Sequence, residues 1–140
     1  MKNKIKAIIF DLDNCIFDTR SMGEGIIDTV LEVLYSSNLS EQQKKDVDDA
    51  LWTTSLEDII DQFKVPEKIA EKMRQAYRKI EVPKNREVKS FGDEKCIKNL
   101  PVKKILVTTG YRRFQESKIE RINASFSCLP RSAGVVFLLT

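Results

Sequence analysis

Histidine is absent from this chain of 140 residues, and that absence narrows the chemistry available to it. Without an imidazole the chain has no Ser-His or Cys-His nucleophile and no histidine-ligated metal. The three cysteines, Cys15, Cys96 and Cys128, lie far apart and form neither a CxxC pair nor a zinc cluster. Carboxylates must therefore carry any acid-base chemistry, and the isolated thiols fit a reducing cytosol, which predicts a cytoplasmic protein.

The chain also lacks a strong charge of one sign and any long apolar run. Its 24 Lys and Arg against 21 Asp and Glu give a net charge of +3, with both signs interleaved. Because no basic run alternates with aromatic residues, we expect a mixed solvated surface and no nucleic-acid partner. Residues 133–140 are too few to span a bilayer, so we expect no membrane partner.

The most informative segment is the apolar run at residues 5–10, which leads directly into Asp11 and Asp13. Such a run is typical of a buried parallel strand. Side chains alternate along a strand, so the two acids are expected on one side of its carboxyl end, where ligands bind in parallel α/β sheets. Two carboxylates this close repel each other unless a cation or a proton joins them. The Asp-x-Asp pattern alone leaves both a turn and an active site open.

Residues 18–91 are predicted to form an all-helical insertion of four helices. Apolar residues at helical spacing begin near Gly25. The later helix starts are marked by two capping-box patterns and a proline: Ser40-x-x-Gln43, Thr54-x-x-Glu57 and, as a first helical residue, Pro66. The acidic pairs Asp48-Asp49 and Glu57-Asp58 fall on polar helix faces and are interpreted as solvated.

The remaining chain is predicted to alternate between helix and strand. We expect a short helix at about 93–100, a helix over 112–123 and a strand over 134–139. Between the two helices, a buried strand begins near Lys103 and ends in Thr108, Thr109 and Gly110. The order strand, helical insert, strand, helix, strand favours an α/β fold over an α+β fold.

Two motifs carry a resemblance to a known family. Asp11-Leu12-Asp13-Asn14, preceded by its apolar strand, resembles the first motif of the haloacid dehalogenase-like hydrolase superfamily. Residues 105–111, with Gln115 and Lys118 one or two helical turns later, resemble the second motif. The resemblance implies a doubly wound, Rossmann-like parallel sheet core built from residues 1–17 and 92–140. It also implies that residues 18–91 form an inserted helical cap.

The resemblance further implies roles for individual residues. Asp11 would be the nucleophile that forms an aspartyl-phosphate, and Asp13 the general acid and base. The Asp11 carboxylate and the Asp13 backbone carbonyl would bind Mg²⁺, which offsets the repulsion between an anionic nucleophile and a phosphate. Thr108, Thr109 and Gly110 would hold the phosphoryl oxygens. Since dehalogenases of the family lack the acid at Asp13, phosphate ester hydrolysis is favoured over carbon-halogen cleavage.

The expected function is therefore that of a Mg²⁺-dependent phosphatase acting on a small phosphorylated metabolite. Family members are also expected to carry a lysine and an acidic pair downstream of the second motif. Here no lysine follows Lys118 and no acid follows Glu120, and Lys118 itself is interpreted as a solvated surface residue. A truncated or degenerate relative that binds phosphate or a protein partner without turnover is thus the alternative. A homo-oligomer is left open, because unpaired strand edges invite association.

Overall fold

The computed structural model describes residues 5–92, 94–126 and 134–138 and has a parallel sheet of three strands. These are β1 (Ala7–Asp11), β2 (Lys103–Thr109) and β3 (Gly134–Leu138), in the order β1-β2-β3. Both strand pairs are parallel, with Ile9 beside Ile105 and Leu106 beside Val135. The predicted α/β class with a parallel sheet is confirmed. Within the described ranges, no helix has the length and apolar character needed to cross a membrane.

Helices connect the strands in the predicted order. Between β1 and β2 lie a short 3-10 helix (Thr19–Met22), α1 (Asp28–Tyr35), α2 (Glu41–Ala50), α3 (Leu56–Gln62), α4 (Glu67–Tyr77) and α5 (Glu94–Asn99), and α6 (Arg112–Phe126) follows β2. Pro66 precedes α4 rather than opening it, because its ψ of 136° is not helical. Cys128 lies outside the described residues.

The starts of α2 and α3 show how well capping patterns predict helix boundaries. The capping box before α2 is confirmed: Ser40 Oγ accepts a hydrogen bond from the Gln43 backbone N–H at 3.2 Å, and Gln43 Oε1 accepts one from the Ser40 N–H at 3.2 Å. The cap predicted at Thr54 is wrong by one position. Ser55 caps α3 instead, accepting from the Asp58 backbone N–H at 3.2 Å. Since both pairs have the spacing of a capping box, the sequence could not separate them.

The two faces of the sheet differ in burial among the described residues. On one face Leu106 of β2 is fully buried in the same apolar core as Phe114 and Ile122 of α6. On the other face Ile9 is 66% exposed. The strand order β1-β2-β3 adds each new strand on the same side of the one before it. Right-handed crossovers between strands in that order place the connecting helices on one face of the sheet. The doubly wound arrangement therefore stays a prediction, as do the cap and its boundaries.

The helices between β1 and β2 have apolar contacts of their own. Helix α1 packs against α4, and Val30 and Leu34 of α1 and Ala70 and Met73 of α4 are fully buried. Full burial of a valine, leucine or methionine side chain stabilises a fold by about 1.5–3 kcal/mol.

Candidate active site

A tight loop after β1 redirects the chain immediately beyond Asp11. The backbone N–H of Phe17 donates to the Leu12 carbonyl at 2.9 Å, and both side chains are fully buried. Asn14 adopts a positive φ of 56°, a conformation that asparagine tolerates better than most residues. The loop therefore anchors itself through apolar side chains and leaves Asp11 and Asp13 facing a cavity.

A cavity of about 190 Å³ lies at the carboxyl ends of β1 and β2. All five residues that the sequence singled out line it: Asp11, Asp13, Thr108, Thr109 and Gly110. They meet because the carboxyl ends of neighbouring parallel strands share one edge of the sheet. Their proximity is a structural observation, while their individual chemical roles stay predictions.

The Asp13 carboxylate is held by three hydrogen-bond donors. Its Oδ1 atom accepts from Lys118 Nζ at 2.6 Å and from Thr19 Oγ1 at 3.1 Å, and its Oδ2 atom accepts from Gln115 Nε2 at 3.0 Å. Gln115 Nε2 also donates to the Thr109 carbonyl at 2.6 Å, which joins the loop after β1 to the end of β2. Asp13 is therefore fixed from three directions.

Lys118 is buried, so its interpretation as a solvated surface residue is wrong. Only 3% of the residue is exposed, and its Nζ atom lies 4.1 Å from the ring centroid of Phe114 and 5.9 Å from that of Phe17. Burial lowers the pKa of Lys118, while the Asp13 carboxylate acts in the opposite sense. The ion pair with Asp13 offsets part of the cost of placing an ammonium group among aromatic rings.

The Asp11 carboxylate remains open to a ligand. It is exposed and makes no hydrogen bond or ion pair with any described residue. Across the described ranges, no three His, Cys, Asp or Glu side chains cluster as a ready metal site. Magnesium is commonly held by one or two carboxylates, with water and substrate phosphate completing its shell. Asp11 fits such a partly hydrated ion, whereas the Asp13 carboxylate is already occupied by its three donors.

The end of β2 leads into a tight turn whose geometry requires glycine. Thr108 is almost fully buried, and its hydroxyl donates to the Thr109 carbonyl at 3.4 Å. Gly110 has a φ of +107°, and a Cβ atom there would lie 3.1 Å from Gln115 Nε2. Because side chains rarely adopt this backbone conformation and the space is already filled, glycine is required at this position.

Glu57 forms a second part of the cavity wall; its side chain is half-buried, so it is only partly solvated, and its carboxylate is bound by protein groups. Arg74 donates hydrogen bonds to the Glu57 carboxylate from two nitrogens. Its Nε atom lies 3.1 Å from each carboxylate oxygen, and its Nη2 atom lies 3.0 Å from Oε2. The Tyr111 hydroxyl donates to Glu57 Oε1 at 3.3 Å. Burial, followed by the charge of Glu57, raises the pKa of Tyr111. Since Tyr111 directly follows Gly110, this contact links α3 to the turn at the end of β2.

The sequence profile of haloacid dehalogenase-like hydrolases matches residues 8–127, which is most of the chain. The chain belongs to this family. The resemblance inferred from the two motifs is thereby confirmed. No curated protein matches the chain.

Two solved structures of haloacid dehalogenase-like proteins align with the chain. One is the hydrolase YfnB from Bacillus subtilis bound to magnesium, with 15% identity and a TM-score of 0.45 over 96% of this chain and 64% of that one. The other is a family hydrolase from Xanthomonas campestris, with 18% identity and a TM-score of 0.40 over 94% of this chain and 61% of that one. The chain thus spans less than two thirds of the length of either protein.

The sequence analysis missed two residues of this cavity, Lys118 and Glu57, and only Lys118 had a signal in the sequence. Lys118 lies four positions after Phe114 and four before Ile122, both buried, so it shares their helix face. Glu57 lies one position after the buried Leu56 and has no comparable signal. Its partner Arg74 is 17 positions away on another helix, and only the folded chain brings the two together.

Proposed function

We propose that this chain is a Mg²⁺-dependent phosphatase that hydrolyses a small phosphorylated metabolite through an aspartyl-phosphate intermediate. One observation carries the proposal. The buried ammonium group of Lys118 reaches a cavity that also contains the open carboxylate of Asp11 and the turn after Thr108. A nucleophile, a cation and an anion-binding turn are the parts that phosphoryl transfer requires, because its catalysis is mainly positioning and electrostatic stabilisation.

In the first step, a carboxylate oxygen of Asp11 attacks the phosphorus atom. A bond forms between that oxygen and phosphorus, and the bond from phosphorus to the leaving-group oxygen breaks. Asp13 delivers a proton to the departing oxygen, for which its Oδ2 atom must carry that proton and give up the hydrogen bond from Gln115. A bound magnesium ion would supply positive charge to the phosphoryl oxygens, with Asp11 and the Asp13 backbone carbonyl as its protein ligands. Lys118 adds a fixed positive charge from the protein itself.

In the second step, water attacks the phosphorus atom of the aspartyl-phosphate. Asp13 takes a proton from that water, the bond to Asp11 breaks, and inorganic phosphate leaves with Asp11 restored as a carboxylate. The Thr108 hydroxyl and the backbone N–H groups of the turn hold the phosphoryl oxygens in both steps. The lysine that the family is expected to supply downstream is replaced, in this proposal, by Lys118 from α6.

The size of the cavity supports a small substrate. Drug-sized ligands occupy pockets of about 300–1,000 Å³. The cavity here is about 190 Å³, which suits a phosphate with a short leaving group. Aromatic residues on its wall, Tyr77 and Phe114, limit the access of bulk water to the reacting atoms.

The test is hydrolysis of p-nitrophenyl phosphate with magnesium chloride or with EDTA. We expect turnover by the wild type with magnesium, none with EDTA, and a loss of about a thousandfold or more in Asp11→Asn, which removes the nucleophile. Asp61→Asn is the matched control, because Asp61 is exposed on α3 and lies outside the cavity, and it should stay within about twofold of the wild type.

Equal rates in the wild type and in Asp11→Asn would exclude Asp11 as the nucleophile. If no variant released nitrophenol while calorimetry showed inorganic phosphate binding to the wild type, the chain would instead be a relative that binds phosphate without turnover.

A further inference from the structure

We propose that this site selects phosphate monoesters whose leaving group is uncharged or cationic, such as a polyol or an amine, and that Glu57 enforces this choice. Leaving groups that carry a carboxylate or a second phosphate would be rejected. The inference rests on the proposed phosphatase function and extends it to the class of substrate.

Glu57 is held rigidly in the cavity wall. Its carboxylate accepts hydrogen bonds from Arg74 on α4 and from the hydroxyl of Tyr111, the residue directly after Gly110. Its side chain is half-buried, with 37% of its surface exposed. A carboxylate fixed on both sides cannot swing away from an anionic ligand, so its charge acts on whatever lies beside the phosphate site.

The positive charge of Arg74 does not cancel that of Glu57. Arg74 also binds Glu67 at 2.7 Å and lies 3.8 Å from Glu71, so one guanidinium group serves three carboxylates. Arg78 adds a second guanidinium group, 3.7 Å from Glu71. The cluster therefore has three negative charges against two positive ones, and Glu57 is the member of it that lines the cavity.

The rest of the described cavity wall has the same imbalance. Its charged residues are Asp11, Asp13 and Glu57 on the negative side and Lys118 on the positive side. Lys118 is already paired with Asp13, and the phosphoryl group would compete for the same ammonium group. No cation of the described wall is then left for a further anionic group on the substrate, and like charges brought together in a confined site disfavour binding.

Neutral polar groups complete the wall beside Glu57. Thr53 and Thr54, which precede α3, both line the cavity, and their hydroxyls can donate or accept hydrogen bonds. Both oxygens of the Glu57 carboxylate already accept hydrogen bonds from Arg74 and Tyr111, so Glu57 acts on the leaving group through its charge, which attracts a cationic group, while the threonine hydroxyls bind its polar groups. The wall therefore matches a leaving group that carries hydrogen-bond donors, and the single aromatic wall residue on this loop, Trp52, offers an apolar surface for its carbon atoms.

The test compares kcat/KM for four phosphate monoesters with magnesium present. Glycerol 3-phosphate has a neutral leaving group, phosphoethanolamine a cationic one and phosphoglycolate an anionic one, and p-nitrophenyl phosphate reports basal activity. We expect the wild type to prefer each of the first two over phosphoglycolate by about tenfold or more. Glu57→Gln, which keeps the shape but removes the charge, should reduce this preference to about threefold or less, and Glu57→Asp should retain it.

Glu67→Gln is the matched control for the charge of the cluster. It removes another carboxylate that binds Arg74, but Glu67 does not line the cavity, so the preference should stay within about twofold of the wild type. Phosphoglycolate as the preferred wild-type substrate, or an unchanged preference in Glu57→Gln, would overturn this inference while hydrolysis of p-nitrophenyl phosphate still supported the phosphatase function. Failure to hydrolyse p-nitrophenyl phosphate would overturn both.

Discussion

Replacing Lys118 with methionine removes a buried charge while keeping most of the apolar stem. Breaking a buried ion pair by deleting one partner costs about 3–5 kcal/mol. Here the Asp13 side chain is 29% exposed and keeps Thr19 and Gln115 as donors, so the remaining charge is partly compensated. The expected loss of stability is therefore closer to the contribution of one hydrogen bond to a charged group, about 1.5–3 kcal/mol. We expect Lys118→Met to lower the free energy of unfolding by about 2 kcal/mol at pH 7.

Urea unfolding followed by the fluorescence of Trp52, the single tryptophan, measures this change. With a slope of about 2 kcal/mol per molar urea, the midpoint should fall by about 1 M. Lys45→Met, at an exposed lysine on α2, should change the stability by less than about 0.5 kcal/mol. Adding Asp13→Asn to Lys118→Met should recover part of the loss, because no carboxylate is then left without its cation. Equal midpoints for the two lysine variants would refute the buried ion pair.

Three further substitutions test other parts of the structure by the same urea assay. Ser40→Ala removes the cap of α2 and should cost about 1 kcal/mol; no loss would mean that the capping box does not stabilise the helix. Gly110→Ala should lower the free energy of unfolding by about 1–3 kcal/mol more than Gly92→Ala does. Both glycines have positive φ, but only a Cβ atom at position 110 would meet another atom, Gln115 Nε2. Equal losses of stability in the two variants would contradict that contact. Ile9→Thr should change the stability by less than about 0.5 kcal/mol, and a loss near 2 kcal/mol would show that this sheet face is covered.

The parts of the fold that the sequence predicted depend on local or periodic signals. A short apolar run predicts strand β2, and a capping box with helical spacing predicts α2. The meeting of Asp11 with Thr108 was also predictable, because the carboxyl ends of parallel strands share an edge whatever lies between them in the chain. Signals of this kind do not require knowledge of distant contacts.

The parts that were missed depend on contacts between distant residues. Lysine and glutamate are exposed in most proteins, so a solvated side chain is the default expectation for Lys118 and Glu57. Lys118 is buried and Glu57 is half-buried, and each is held by a partner from elsewhere in the chain, Asp13 for Lys118 and Tyr111 for Glu57. The prediction of the α3 cap was wrong for a different reason. Thr54 and Ser55 each have an acidic residue three positions later, and only the backbone geometry of the folded chain makes Ser55 the cap.

The ion pair between Lys118 and Asp13 joins residues 105 positions apart. Bringing such distant residues together costs chain entropy that contacts within a single helix do not, so pairs of this kind tend to form late in folding. During synthesis the ribosome releases the loop after β1 long before α6. A nascent chain that stops short of residue 118 therefore carries Asp13 without its lysine partner, and the wall of the cavity is completed only when α6 docks.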